Sequence, residues 1–269
     1  MDQQSAHTVR SLAADLRILG LAAGDVVMMH SSIRSLGFVA GGAEAVVWAL
    51  LEVLGPEGTL IVPAHTPENS DPAGWRNPPV PPAWWPVIRA ETPAFDPART
   101  PSRWMGRIAE TVRTWPGAVR SHHPQVSVAA VGRQAIEITA DHLLAEAHSD
   151  RSPLGAVYRL DGKVLLLGCG HGSNTSLHLA ETRQPDPPRS TSGASVRRSD
   201  GSSGWVTWSE VAVDEDDFDQ IGAAFEATGK VSVGPVGEAT ARLMSQRALV
   251  DFATGWIAAN RPAEPARPA

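Results

Sequence analysis

Cysteine is almost missing from this chain. Cys169 is the single one in 269 residues, so no intrachain disulfide and no cysteine-based zinc site can form. No apolar run is long enough to span a bilayer. The opening Met-Asp-Gln-Gln-Ser-Ala-His has neither the basic nor the apolar region of a signal peptide, and a cytoplasmic location is expected, with no membrane partner. Basic residues are the minority, 23 against 29 acidic ones, for a net charge of −6. They form no stripe, which argues against nucleic acid as the main partner and favours a neutral or cationic ligand. Several catalytic signatures are also missing. There is no H-E-x-x-H, no G-x-G-x-x-G, no P-loop and no G-x-S-x-G. A catalytic metal and a Rossmann dinucleotide are therefore not expected.

What is present is ordinary globular material, 42% hydrophobic and 19% charged, enough for one large domain or two small ones. Residues 5–19 carry Val9, Leu12, Leu16 and Leu19 at helical spacing, with Gly20 as a stop. Val26-Val27-Met28-Met29 reads as a buried strand and runs into the polar loop His30 to Gly37. In open α/β sheets, ligands bind beyond the carboxyl ends of strands, which is where this loop falls. A helix over 43–54 and a strand at 59–63 follow, and the β–α–β order implies parallel strands with a right-handed crossover. Residues 64–102 break the pattern with many prolines and with Trp75, Trp84 and Trp85. A loop of that length is a lid or an ordered excursion that packs its tryptophans on the core.

Beyond it, the pattern predicts a helix over 104–115, a strand over 126–131, a helix over 132–142, a polar loop over 143–153 and a short helix over 153–160. The segment 185–213 reads as a β-hairpin around Ser199-Asp200-Gly201-Ser202. An acidic block at 214–219 then opens a helix to about 228. Its charges either complement the helix dipole or form a rim that attracts a cation. Two more helices are expected over 236–247 and 250–260, and a disordered tail over 261–269. Residues 1–260 are expected to form a single domain.

The stretch with most chemistry is Gly168-Cys169-Gly170-His171-Gly172, which follows the apolar run Lys163-Val164-Leu165-Leu166-Leu167. Asn174 is a fitting N-cap for the helix beyond, and His178 and Glu181 share a helix face with it. His178 is either a base aimed into a cleft or a buried structural histidine. As a base it needs a carboxylate to hold its tautomer, and Glu181, Glu210, Asp150 or the acidic block could supply one. A hydrolase with Ser31, Ser173 or Cys169 as nucleophile is the competing chemistry.

Four segments, taken in order, resemble the aminoglycoside 3-N-acetyltransferases: His30-Ser31-Ser32-Ile33-Arg34-Ser35-Leu36-Gly37, Ser121-His122-His123-Pro124, Ser152-Pro153-Leu154 and Asn174-Thr175-Ser176-Leu177-His178-Leu179-Ala180-Glu181. The likeness runs from about residue 8 to residue 256 and includes Trp84-Trp85. It implies a layered α/β sandwich with a central mixed sheet and a small β-rich subdomain, distinct from the common acetyltransferase fold. It implies transfer of the acetyl group of acetyl-coenzyme A, with no metal, to the 3-amino group of an aminoglycoside antibiotic, a resistance activity. A same-fold transferase acting on another amine is the alternative.

The resemblance also implies roles. His30, Ser31, Ser32, Ile33, Arg34 and Ser35 would cradle the coenzyme, and Ser121 and His123 would form a second coenzyme segment. Thr100, Arg103, Met105 and Gly106 would line its cleft. His178 would be the catalytic histidine, Glu210 the carboxylate beside it, and Asp150 a shortened form of the family's usual glutamate. Asp71, Glu146, Asn174 and Glu181 would meet the cationic acceptor, in a monomer or a homodimer.

Overall fold

The computed structural model describes residues 6–198 and 200–261. Its centre is a seven-stranded sheet in the order β3-β4-β2-β1-β5-β9-β8. The strands are β1 (Val26–Ser31), β2 (Thr59–Pro63), β3 (Val119–Arg120), β4 (Val128–Gly132), β5 (Lys163–Leu167), β8 (Val231–Val236) and β9 (Ala239–Ser245). β1 pairs in parallel with both β2 and β5, while β4 and β9 add antiparallel strands outside them. The expected mixed sheet is present.

Helices cover both faces because successive strand side chains point to opposite sides. Val27 and Met29 of β1, with Leu60, Val62, Leu165 and Leu167, face the helices α1 (Val9–Leu19), α2 (Gly42–Leu54) and α4 (Gly106–Arg113). Met28, Ile61, Val164 and Leu166 face the other layer. That layer holds α5 (Ala135–Ala140), α6 (Pro153–Arg159), α7 (Leu177–Thr182), α8 (Phe218–Glu226) and α9 (Gln246–Asn260). Fully buried side chains such as Leu50 and Phe225 each contribute about 1.5–3 kcal/mol by leaving water.

The helix expected over 236–247 is instead the hairpin β8–β9, closed by Gly237-Glu238. Val236, Ala239 and Leu243 mimic helical spacing, but Ala239, Ala241 and Leu243 also alternate, and β9 pairs with β5 over Lys163 to Leu167. Strand pairing overrode local propensity here. The helix expected over 104–115 begins only at Gly106, because Trp104 has a φ of 62°. Asn174 does not cap α7. Ser176 holds that position, and its N–H donates to Asn174 Oδ1 at 3.3 Å.

The excursion 64–102 contains a further helix, α3 (Trp85–Glu91). It is stitched to a separate two-stranded sheet, β6 (Arg189–Arg197) with β7 (Ser203–Val211). Asn69 Nδ2 donates to Ser195 O and Asn69 Oδ1 accepts from Ser195 N, while Phe95 N also donates to Ser195 O. Gln125 ties in from the β3–β4 side, donating to Gly193 O and accepting from Ser192 Oγ. Arg261, expected in a loose tail, is held by ion pairs. Residues 262–269 and Ser199 of the expected turn lie outside the described residues.

Candidate active site

The chain leaves β1 toward β2 on one side and returns to β5 on the other, so the sheet reverses direction of travel between β1 and β5. A crevice opens beyond strand ends at such a switch point. Here it is a cavity of about 390 Å³. Met29, His30 and Ser31 at the end of β1 line one wall, and Cys169, Gly172, Ser173 and Thr175 of the glycine turn line another. The two walls are locked together. Ser35 Oγ donates to Gly168 O at 3.0 Å, and Gly168 has no room for a side chain, since a Cβ there would sit 2.6 Å from Ser35 Cβ.

Four histidines face this cavity: His30, His65, His148 and His178. Burial pushes His30 and His65 down to about 3, with the neighbouring imidazoles adding to the effect, and it holds His148 well below the usual range. These three are neutral at physiological pH. Among the described residues, only His178 of the four bonds a carboxylate. Its Nδ1 lies 2.6 Å from Glu181 Oε2, one helical turn on, and Glu181 is 3% exposed. The other oxygen, Glu181 Oε1, accepts from Asp214 N at 2.9 Å and pairs with the guanidinium of Arg261. With Nδ1–H committed to Glu181, Nε2 of His178 carries the free lone pair. The His148 ring stacks on that of His178 at 4.6 Å and 29°, and Phe218 packs beside it at 4.8 Å.

The carboxylate expected beside His178 was Glu210, and the structure puts Glu181 there. Glu210 sits on β7 and accepts from Trp208 Nε1 at 2.9 Å. It faces a side groove of about 160 Å³ with Glu146, and that groove meets the main cavity at His148 and Val213. Asp150 is also away from the chemistry. Its side chain is 61% exposed and bonded to Arg183 at 2.6 Å. Asp71 is gripped by Arg89 through both oxygens, at 2.7 and 3.1 Å, and does not line the cavity. Glu146 bonds Arg151 and Ser149. Asn174 is fully buried below the turn.

The expected coenzyme residues divide in the same way. Ser31 and Met105 line the cavity. Ile33 lines a separate groove with Gly41, Gly42 and Arg107, and Arg34 is exposed. Ser32 N and Ser35 N are spent on Leu167 O and Ser32 O. Ser121 and His123 are fully buried and do not reach the cavity. Ser121 Oγ bonds His142 Nδ1 and accepts from Val128 N. His123 Nδ1 accepts from the N–H groups of Gln125 and Val126, and burial holds its pKa down at about 4. They brace the end of β4. Thr100 Oγ1 accepts from Asp96 N, and Arg103 pairs with Glu68 at 3.1 Å.

The hydrolase chemistry has little to stand on. Burial pushes the Cys169 thiol up to about 11, so it is no thiolate. No serine hydroxyl is hydrogen-bonded to His178 among the described residues. Among the described residues, no group of three or more His, Cys, Asp or Glu is arranged to hold a metal ion. Among the described residues, no helix is long and apolar enough to cross a membrane.

The sequence profile of the aminoglycoside 3-N-acetyltransferases matches residues 28–258. The chain belongs to this family. It is thus an enzyme of the acyltransferase class. The crystal structure of YokD from Bacillus subtilis superposes with a TM-score of 0.93 at 41% identity, covering 95% of each chain. Aminoglycoside N(3)-acetyltransferase VII of Streptomyces paromomycinus is 36% identical over 91% of this chain and 90% of its own. A structure of the acetyltransferase AAC-IIIb with CoASH matches at a TM-score of 0.84 and 32% identity, over 98% of this chain and all of the other.

No motif or spacing in the sequence of this family member marks His65, His148, Trp104 or Arg261. His148 carried a weak signal, as the histidine of a polar loop between two helices. Trp104 had none, since its exposure and its positive φ belong to the folded chain. Arg261 lies 80 residues from Glu181, in a stretch that reads as tail.

Proposed function

We propose that the chain transfers the acetyl group of acetyl-coenzyme A to the 3-amino group of an aminoglycoside, with His178 as general base. The observation that carries the reading is the His178–Glu181 pair opening into a cavity at the β1–β5 switch point. Family membership supplies the reaction class, and the neighbour bound to CoASH supports the donor. His178 Nε2 takes a proton from the acceptor amine as its nitrogen attacks the thioester carbon. The resulting imidazolium stays paired with Glu181. The C–S bond then breaks, and the coenzyme thiolate recovers a proton from His178.

The oxyanion needs donors that are not already used. The glycine turn offers few, because Gly168, Gly172, Ser173, Asn174 and Thr175 all donate to acceptors within the protein. Ile33 and Arg34 open a helical turn whose first N–H groups have no acceptor inside it, but neither residue lines the cavity around His178. The exposed Arg34 has no ion-pair partner among the described residues and suits a coenzyme phosphate. The side groove with Glu146 and Glu210 suits further ammonium groups of the acceptor.

Thiol release from acetyl-coenzyme A, followed with and without a panel of aminoglycosides, tests the reading. Release only in the presence of an aminoglycoside, lost by about 10²–10⁴-fold in His178→Ala, is the expected result. Release without any amine would mean hydrolysis. Near wild-type turnover in His178→Ala would remove the base from His178.

A further inference from the structure

The residue that completes this site comes from the last described position of the chain. Arg261 follows α9, its N–H bonded to Ile257 O, and its guanidinium reaches three acceptors. One is Glu181 Oε1. A second is the carboxylate of Asp217, gripped in fork geometry with Nε at 2.7 Å and Nη2 at 2.6 Å. The third is Asp214 O at 2.8 Å. We propose that Arg261 is a positioning residue for the transfer reaction, keeping Glu181 anionic and aimed, and through it setting which nitrogen of His178 bears the proton. The proposal rests on the reading of His178 as the base.

The physical case starts from Glu181. It is 3% exposed, and a carboxylate this deep stays ionised only if its charge is balanced and its lone pairs are used. His178 Nδ1–H and Asp214 N–H are both donors, but neither carries a formal charge while the imidazole is neutral. Arg261 is the only cation bonded to Glu181 among the described residues. If Glu181 took up a proton, its O–H would donate to His178 Nδ1. The ring would then hold its own proton on Nε2, facing the cavity, where it can donate but cannot accept. One misplaced proton would thus turn the base into a hydrogen-bond donor. The charged and titratable groups around the pair are Arg261 and Asp217 on the carboxylate side, stacked His148, and His30, His65 and Glu215 across the cavity. The three histidines are neutral, so none can replace the arginine.

The competing role is structural. Arg261 also fastens the wall that carries Val213, Glu215 and Phe218, and losing it could reshape the cavity. A double-mutant cycle in the full chain separates the two. Arg261→Gln and Arg261→Lys are each made in the wild type and in Glu181→Gln. For all of them, kcat, both KM values, the pH profile of kcat/KM and CoASH binding are measured. Arg261→Gln is expected to lower kcat by about 10-fold or more with KM values nearly unchanged, and to lower it by less than about 2-fold once Glu181 is glutamine.

Arg261→Lys keeps the charge but reaches one carboxylate at a time. It is expected to lose roughly 2- to 5-fold, and this loss should likewise vanish in Glu181→Gln. It stands as the test if the glutamine variant does not fold. In either variant the ¹⁵N signals of His178 should show Nε2 protonation absent from the wild type. Equal losses in both backgrounds, no loss from either substitution, or an unchanged His178 tautomer would overturn the proposal. His178→Ala keeps the two readings apart. If it still turns over, the base assignment has failed; if it is dead while Arg261→Gln is neutral, only the role of Arg261 has.

Discussion

The imidazole of His148 lies on that of His178, ring centroids 4.6 Å apart and planes inclined by 29°. The two rings come from different segments, one from the loop before α6 and one from the first turn of α7. The stack fixes the plane in which His178 presents Nε2 to the cavity. It also places no charge there, since His148 is held neutral by burial. An aromatic pair of this kind contributes about 0.5–1.5 kcal/mol. His148→Ala should therefore lower kcat by roughly 2- to 10-fold, and His148→Phe, which restores the stack, should recover most of it. Equal activity in the wild type, His148→Ala and His148→Phe would show that the stack does not orient the base.

Glu181 and Glu210 make opposite predictions. Glu181→Gln removes the anion that holds His178 Nδ1–H, and kcat should fall by about 10-fold or more. Glu210→Gln touches only Trp208 and the side groove, so kcat should stay within about 2-fold while KM for a polycationic acceptor rises. Steady-state kinetics of the two variants decide between them. The reverse ranking would restore Glu210 as the partner.

Stability should depend on pH through the buried histidines. His30 and His65 titrate near 3 and His123 near 4 in the folded chain, all from burial first, and His142 and His148 are depressed in the same sense. Unfolding lets these rings take up protons at about 6.5. Stability is thus full above that value and declines as the pH falls from about 6.5 toward the folded values. The slope approaches about 1.4 kcal/mol per pH unit for each group. The thermal midpoint should drop by at least about 5 °C between pH 7 and pH 5. A flat profile over that range would mean that these rings are not excluded from water.

Gly222 of α8 lies against His171, where a Cβ would fall 2.0 Å from His171 Cγ. His171 is itself anchored, its Nε2 3.1 Å from Glu226 Oε1, and cannot swing away freely. Gly222→Ala must push α8 off the glycine turn. It should destabilise the chain by about 1–3 kcal/mol, read as a lowered thermal midpoint. Gly222→Ala in a His171→Ala background should recover most of that loss. If it does not, the clash is not with His171.

Local signals carried much of the site. The apolar runs of β1, β2 and β5 announced a parallel core, and the loops at the ends of β1 and β5 do wall the cavity. Even the carboxylate that bonds His178 was legible, since His178 and Glu181 are three residues apart on one helix. The likeness to a family drew attention to Glu210 instead, and only the fold shows it turned toward Trp208. Ser121 and His123 sit in a polar motif, yet its polar atoms are spent inside the protein on His142 and on the backbone of Gln125 and Val126. Pairings across large separations had no local trace. The contact of Arg261 with Glu181 and the pairing of β9 with β5 both arise from packing, not from periodicity.

The bonds that hook Asn69 to Ser195 have a practical consequence for anyone recombining this chain with a relative. The excursion and the β6–β7 ribbon are far apart in sequence but share one set of hydrogen bonds, with Gln125 as a third strut. A crossover placed between residues 102 and 189 would pair one parent's loop with the other parent's ribbon and leave Asn69 or Ser195 facing a stranger. Chimaeras that carry both segments from the same parent keep the joint whole, so the useful unit of exchange is defined by the joint and not by the contiguous stretch of chain.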